Sequence, residues 1–296
     1  MSRPYYRLGL AGWPLGHSLS PQIHAAALES LGLQGEYNLY PVQPGPRAME
    51  AMQNLLDRIR AGELHGLNVT IPHKQAMLPL MDRLSPAASA IGAANTVIPQ
   101  EGRLVGDNTD AEGFVADLLR SFPQMQPSPD TEGKTPGLAL VLGAGGSARA
   151  GVYGLGRTGW EVIVAARRVA QAEELVRQLQ SEIPTRLQAL PLQAAALGEH
   201  LAQVALLVNA TPAGMAGDNT SPWPEGLPLP SGCAVYDFVY NPPITPLLAA
   251  ARAAGLPAAN GLGMLIEQAA LSFARWTGLQ PRRSALWQAV TAWEGS

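Results

Sequence analysis

Residues 143–150 read GAGGSARA, directly after the apolar run LALVL and before a stretch of helical spacing. A bound phosphate needs backbone N–H groups at close range with a helix N-terminus behind them, and glycines permit both. Ala148 stands in place of the third glycine, so the spacing is G-x-G-G-x-A. The setting between strand and helix, with a further strand about 20 residues on, points to a dinucleotide. A glycine-rich turn without a ligand would have the same composition. The next strand ends VAARR, with Arg167 and Arg168 at its close and no acid until Glu173. An NAD site usually carries an acid there for the ribose 2′-hydroxyl. Two guanidiniums suit a 2′-phosphate instead, which favours NADP. Two solvated arginines at a strand end would look alike.

A second set of polar residues sits among apolar ones. In GLNVTIPHKQAM (66–77), Asn68 and Thr70 alternate onto one face of a strand. Lys74 follows Pro72 in what reads as the first turn of a helix, where the dipole disfavours a cation. Ser18 and Ser20 of HSLSP face one way in an extended segment and could donate to a carboxylate. Ser20 fits equally as the cap of a helix starting at Pro21. Asn95 in GAANTV needs polar partners. So does Gln268, which shares a helix face with Met264, Leu265, Leu271 and Ser272. A polyhydroxylated ligand or hydrogen bonds within the protein would serve both. In GDNTDAEGF, Thr109 and Glu112 match a capping box, which places Asp110 in a first helical turn, a common position for an acid. His17, His24, His65, His73 and His200 form no ligand spacing with Cys233 or a carboxylate, so no metal is expected.

The elements that must position these residues alternate. YRLGLAG, EYNLYPV and GLNVTIP read as strands. PQIHAAALESLG, AMEAMQNLLDRIRAG and HKQAMLPLMDRL read as helices, the first two closed by Gly32 and Gly62. AANTVIP and RLVGDNTD complete this region, and the alternation predicts parallel βαβ units. Residues 121–137 are rich in Pro and Gly and read as a loop. A second α/β region runs through WEVIVAARR, VALLVNATP and AVYDFVY, and the stretch from Gly261 is helical in period.

The chain has 296 residues, which suggests two domains, and 47% apolar with 15% charged residues suits compact cores. The net charge of −3 and the lack of a Lys/Arg run favour neither nucleic acid nor an anionic membrane as partner. A lone cysteine excludes a disulfide framework and fits a reducing cytoplasm. No signal peptide or membrane span is expected.

HSLSP, NVTIPHK, GAANT, GDNTD, GAGG, NATPAGM, YDFVY and GLGMLIEQA stand in the order seen in shikimate dehydrogenases, and the resemblance runs from residue 8 to residue 275. It implies an α/β protein with an N-terminal α/β substrate domain (1–109) completed by C-terminal helices (262–296), and a Rossmann NADP-binding domain (110–261). It implies reversible NADPH-dependent reduction of 3-dehydroshikimate to shikimate in aromatic amino-acid biosynthesis, by a monomer or homodimer. Carried over motif by motif, Lys74 and Asp110 resemble the catalytic pair. Ser18 and Ser20 resemble carboxylate binders with Thr70 close by. Asn68, Asn95, Gln268 and Tyr240 resemble substrate contacts. The cofactor side takes Gly143, Ala144, Gly145, Gly146 and Ser147 of the turn, Arg167, Arg168, Asn209 and Thr211, with Phe238 and Gly263 near the nicotinamide. Members of the family often read N-R-T-x-x-R where this chain has Ala166 to Gln171, which removes an amide and a cation from the usual 2′-phosphate clamp.

Hydride delivery to a ketone leaves a developing alkoxide, and Lys74 is the expected proton donor. A helix dipole would lower its pKa and Asp110 would oppose that shift. Two other readings stay open: a quinate/shikimate dehydrogenase of broader range, and a non-catalytic NADP-binding sensor on the same fold.

Overall fold

A computed structural model describes residues 4–125 and 136–291. The loop expected at 121–137 therefore lies largely outside the described residues. Two compact units divide the chain: Met1–Gly113 with Leu265–Ser296, and Phe114–Met264.

The first unit opens with β1 (Tyr5–Gly12), α1 (Ser20–Ser30), β2 (Gln34–Pro41), α2 (Ala48–Arg60) and β3 (Gly66–Val69). Gly32 and Gly62 take positive φ after α1 and α2, as expected. Leu33 N–H returns to Leu28 O and Glu63 N–H to Arg58 O, which closes the last helical turns. β1 pairs in parallel with both β2 and β3. Along β3 the side chains alternate. Leu67 and Val69 join Met52, Leu55, Leu56 and Ile59 of α2 in one core, and Asn68 faces the other way.

The helix expected over HKQAMLPLMDRL does not form. Residues 73–77 make one turn, with Met77 N–H to His73 O, and a single 3-10 turn follows at Leu78–Leu80. Pro79 has no N–H to bond Gln75 O in an α-helix, so the tighter turn ends there and the chain passes into β4 (Arg83–Leu84). The short α3 (Pro86–Ile91) then begins at Ser85, whose Oγ accepts from Ala88 N–H. β5 (Thr96–Gln100) and β6 (Arg103–Asp107) form an antiparallel hairpin through Glu101 and Gly102, both at positive φ. The sheet order is β2-β1-β3-β5-β6-β4. It is mixed, because β5 runs antiparallel to β3. The expected parallel βαβ units form over β1, β2 and β3, and the hairpin departs from them. α4 (Asp110–Ser121) follows and crosses the boundary into the second unit.

The second unit contains β7 (Leu138–Leu142), α5 (Gly146–Arg157), β8 (Glu161–Ala166), α6 (Val169–Leu179), β9 (Leu187–Pro191), α7 (Ala194–Gly198), β10 (Val204–Asn209), β11 (Ala234–Asp237), α8 (Pro246–Ala253) and β12 (Ala258–Asn260). Its strands are all parallel, in the order β12-β11-β10-β7-β8-β9. Ala139 and Val141 of β7 enter one core, and Leu140 and Leu142 enter the other. Burial on both faces explains why these strands read as unbroken apolar runs. This is a doubly wound Rossmann sheet whose order reverses between β7 and β10, where such sheets bind ligands.

The chain returns to the first unit within α9 (Leu262–Thr277), and the last element among the described residues is α10 (Arg283–Thr291), which packs on α1.

Candidate active site

In the first unit the turn after β3 carries Lys74. Its backbone O accepts from Ala94 N–H at 2.8 Å, and the neighbouring buried His73 ring bonds Val42 O at 2.7 Å. The Lys74 Nζ donates to Asp110 Oδ2 at 2.7 Å, with the two side chains only 13% and 6% exposed. Because no helix starts at this lysine, the dipole argument for it does not apply. Asp110 opens α4, where a carboxylate is favoured.

Asn95 supplies the other oxygen's partner. Its Nδ2 donates to Asp110 Oδ1 at 2.9 Å and to Thr109 Oγ1 at 2.9 Å, and lies 3.4 Å from Gln268 Oε1. Thr109 N–H, which can only donate, points at Asn95 Oδ1 at 2.9 Å and so fixes the way the amide faces. Thr109 is therefore not the capping residue its spacing suggested. Asn108 Oδ1 accepts from the N–H groups of Asp110 and Ala111 instead, and Glu112 pairs with Arg275.

Behind this lies a layer of buried hydroxyls. Ser272 Oγ of α9 stands 2.9 Å from Thr96 Oγ1 and 3.1 Å from Thr109 Oγ1, and donates to Gln268 O one turn back. Asn68 Nδ2 reaches Ser272 Oγ, Thr96 Oγ1 and Asn95 O, while its Oδ1 accepts from Tyr37 OH at 2.9 Å. Tyr37 stacks on the buried His24 ring at 4.1 Å. Burial pushes the Tyr37 phenol up, with the adjacent Ser20 hydroxyl pulling the other way. Ser272, Thr96, Thr109 and Tyr37 were not foreseen as site residues. Ser272 had one signal, its four-residue spacing from Gln268.

Ser20 is the first residue of α1, and no side chain caps that helix, so its expected capping role is not realised. Ser18 Oγ accepts from Ser20 N–H at 3.3 Å. Thr70 is tied to β1 by its N–H to Ala11 O, and its methyl lies where any side chain at Gly12 would sit. Lys74, Asp110, Asn95, Gln268 and Asn68 thus share one hydrogen-bond network. Ser20 meets the edge of that network at Tyr37, Ser18 and Thr70 belong to the same unit, and Tyr240 belongs to the other unit.

In the second unit, Gly143 leaves β7 at φ 106°, where an added side chain would meet Thr211 and Ala210 within 3.2 Å. The two loops at the reversal of strand order are therefore packed directly together. Gly145 is the N-cap of α5, no side chain caps that helix, and the space around its α-carbon is open. Ala144, Gly146 and Ser147 are half-buried beside it. Ala166 is buried, while Arg167 and Arg168 are exposed at the end of β8. An uncapped helix start, glycines at the turn and two guanidiniums one strand away fit an adenine dinucleotide carrying a 2′-phosphate.

Asn209 is fully buried. Its amide donates to Asp237 Oδ1 and its Oδ1 accepts from Thr211 N–H and Oγ1, so it shapes the loop from within. Burial drives the Asp237 carboxyl up to about 6 against the pull of Thr245, Val239 and Asn209. Phe238 packs on Phe114 at 4.9 Å. Gly263 sits against the buried Asp117 carboxylate, which excludes any side chain there. Among the described residues no group of three His, Cys, Asp or Glu is placed to hold a metal.

The family description "Shikimate dehydrogenase substrate binding domain" matches residues 10–97, and "Shikimate 5′-dehydrogenase C-terminal domain" matches residues 261–291. The NADP(+) shikimate dehydrogenase of Citrifermentans bemidjiense is 42% identical over 292 residues, 96% of this chain and 94% of that one. The crystal structure of the Thermus thermophilus shikimate 5-dehydrogenase with NADP(H) and shikimate is 40% identical, with a TM-score of 0.80 over 97% of this chain and 99% of the other. A quinate dehydrogenase of Corynebacterium glutamicum in complex with NAD is 31% identical, with a TM-score of 0.85 over 97% and 99% of the two chains.

Proposed function

The chain belongs to the shikimate dehydrogenase family, and from that premise we infer that it catalyses the reversible NADPH-dependent reduction of 3-dehydroshikimate to shikimate in aromatic amino-acid biosynthesis. The observation that carries this is the Lys74–Asp110 pair at 2.7 Å, with Asn95 on the second carboxylate oxygen. When bound, NADPH supplies the hydride. Lys74 gives a proton to the oxygen of the reduced carbonyl, and in the reverse direction takes it from the hydroxyl. Asp110 holds and orients the ammonium, and Asn95 holds Asp110.

Ser18, Ser20 and Thr70 donate to the substrate carboxylate. Gln268, Tyr240 and Asn95 meet the ring hydroxyls. The Asn68 amide already serves four partners within the protein. We assign it to ordering the network as well as to the substrate side. The turn of Gly143, Ala144, Gly145, Gly146 and Ser147 holds the pyrophosphate. Arg167 and Arg168 hold the 2′-phosphate, Asn209 and Thr211 shape the neighbouring loop, and Phe238 and Gly263 border the nicotinamide. The substrate domain is 1–109 with 262–296, and the NADP domain 110–261. The chain works in the cytoplasm as a monomer or homodimer and binds no nucleic acid, in keeping with its net charge of −3.

The likeness to a quinate dehydrogenase in complex with NAD favours one second reading, a broader quinate/shikimate enzyme. The two arginines after β8 argue against it. Rates on shikimate and quinate, each with NADP and NAD, separate the two: shikimate with NADP fastest supports the first reading, and quinate with NAD fastest replaces it.

A further inference from the structure

Gly113 lies in the interior of α4, one turn after Asp110, where glycine is a poor helix former. Its N–H makes the ordinary helical bond to Thr109 O, so no unusual backbone angle requires glycine there. The requirement comes from α9. A methyl group on Gly113 would lie 2.7 Å from Gln268 N, 2.9 Å from Gln268 Cβ and 3.0 Å from Gln268 Cα. None of these atoms is the end of a flexible side chain, so the helix itself would have to move.

Three site contacts hang on that helix position. Gln268 Oε1 lies 3.4 Å from Asn95 Nδ2, already at the limit of a hydrogen bond, and Ser272 one turn on meets Thr96 and Thr109 at 2.9 and 3.1 Å. A shift of α9 of several tenths of an ångström would break the first contact and loosen the others. We propose that Gly113 is a positioning residue: by letting α9 press against α4, it holds the Gln268 amide in reach of the Asn95–Asp110–Lys74 chain and so sets substrate affinity.

This deepens the reading given above and rests on it. The test is a cycle of Gly113→Ala, Gln268→Ala and the double variant. Gly113→Ala is expected to raise the KM for 3-dehydroshikimate by about ten- to a hundredfold, as small misplacements in a site do, with the KM for NADPH unchanged. In the Gln268→Ala background the same change should cost less. A crystal structure of Gly113→Ala should show Gln268 Oε1 further from Asn95, which tests the displacement without turnover. An unmoved Gln268, an unchanged KM, full additivity, parallel loss of NADPH affinity or failure to fold would each overturn the proposal. An inactive wild-type chain would instead remove the substrate assignment, while an active wild type with a normal Gly113→Ala removes this inference alone.

Discussion

An ammonium largely withdrawn from water is costly unless a carboxylate receives it, and Lys74 has Asp110, itself held by Asn95. Lys74→Ala is expected to lower kcat by about 10²–10⁴-fold, the usual contribution of a general acid or base, with NADPH binding retained. Steady-state kinetics with cofactor titration checks this, and a near-normal kcat would reduce Lys74 to a binding residue. Ser18→Ala should act differently, raising KM through loss of a hydrogen bond to a charged group, about 1.5–3 kcal/mol, with kcat little changed. An unchanged KM would take that serine out of the site. Asn95 and Gln268 stood out in the sequence because each is polar within an apolar run, and Lys74 because a cation is out of place in the first helical turn expected there. Ser272 and Thr96 did not, because small hydroxyls pass unnoticed there. Thr109 was misread because its spacing to Glu112 satisfies a cap that Asn108 makes instead.

At the scale of elements, the helix expected after Pro72 failed on one residue, Pro79. The lysine is held by a turn pinned to Ala94 and Val42 rather than by a helix terminus. The buried face of α1 carries a titration of its own. Burial drives the His24 imidazole down to about 3, and the nearby Asn68 amide opposes this without forming a hydrogen bond to either ring nitrogen. The folded pKa lies below the unfolded value of 6.5, so the unfolded chain takes up the proton first. Stability from this group is complete above pH 6.5 and is lost as pH falls toward 3, at up to about 1.4 kcal/mol per pH unit. Asp237 has the opposite sign, since its raised pKa means stability is lost as pH rises from 3.8 to about 6. Denaturant unfolding of wild type and His24→Phe at pH 7 and pH 5 isolates the histidine. The wild type should lose about 2 kcal/mol more than the variant over that interval, and equal losses would contradict the assignment.

Over the whole molecule, the Rossmann unit was the more legible, because strands covered on both faces leave continuous apolar runs and the glycine turn marks the first of them. The mixed sheet was less so, since a two-residue hairpin at Glu101 and Gly102 carries no strong turn signal. The compact units divide at Gly113/Phe114 and Met264/Leu265, inside α4 and α9, where no linker composition exists to read. Cofactor choice belongs to this scale. Arg167→Ala and Arg168→Ala should each raise the KM for NADPH while leaving that for NADH nearly unchanged, because only the former carries a 2′-phosphate. Equal effects on both cofactors would contradict that role. The most direct measurement is NADPH oxidation by the purified chain on addition of 3-dehydroshikimate. Turnover that yields shikimate is the predicted result, and NADPH binding without any turnover would mean a sensor rather than an enzyme.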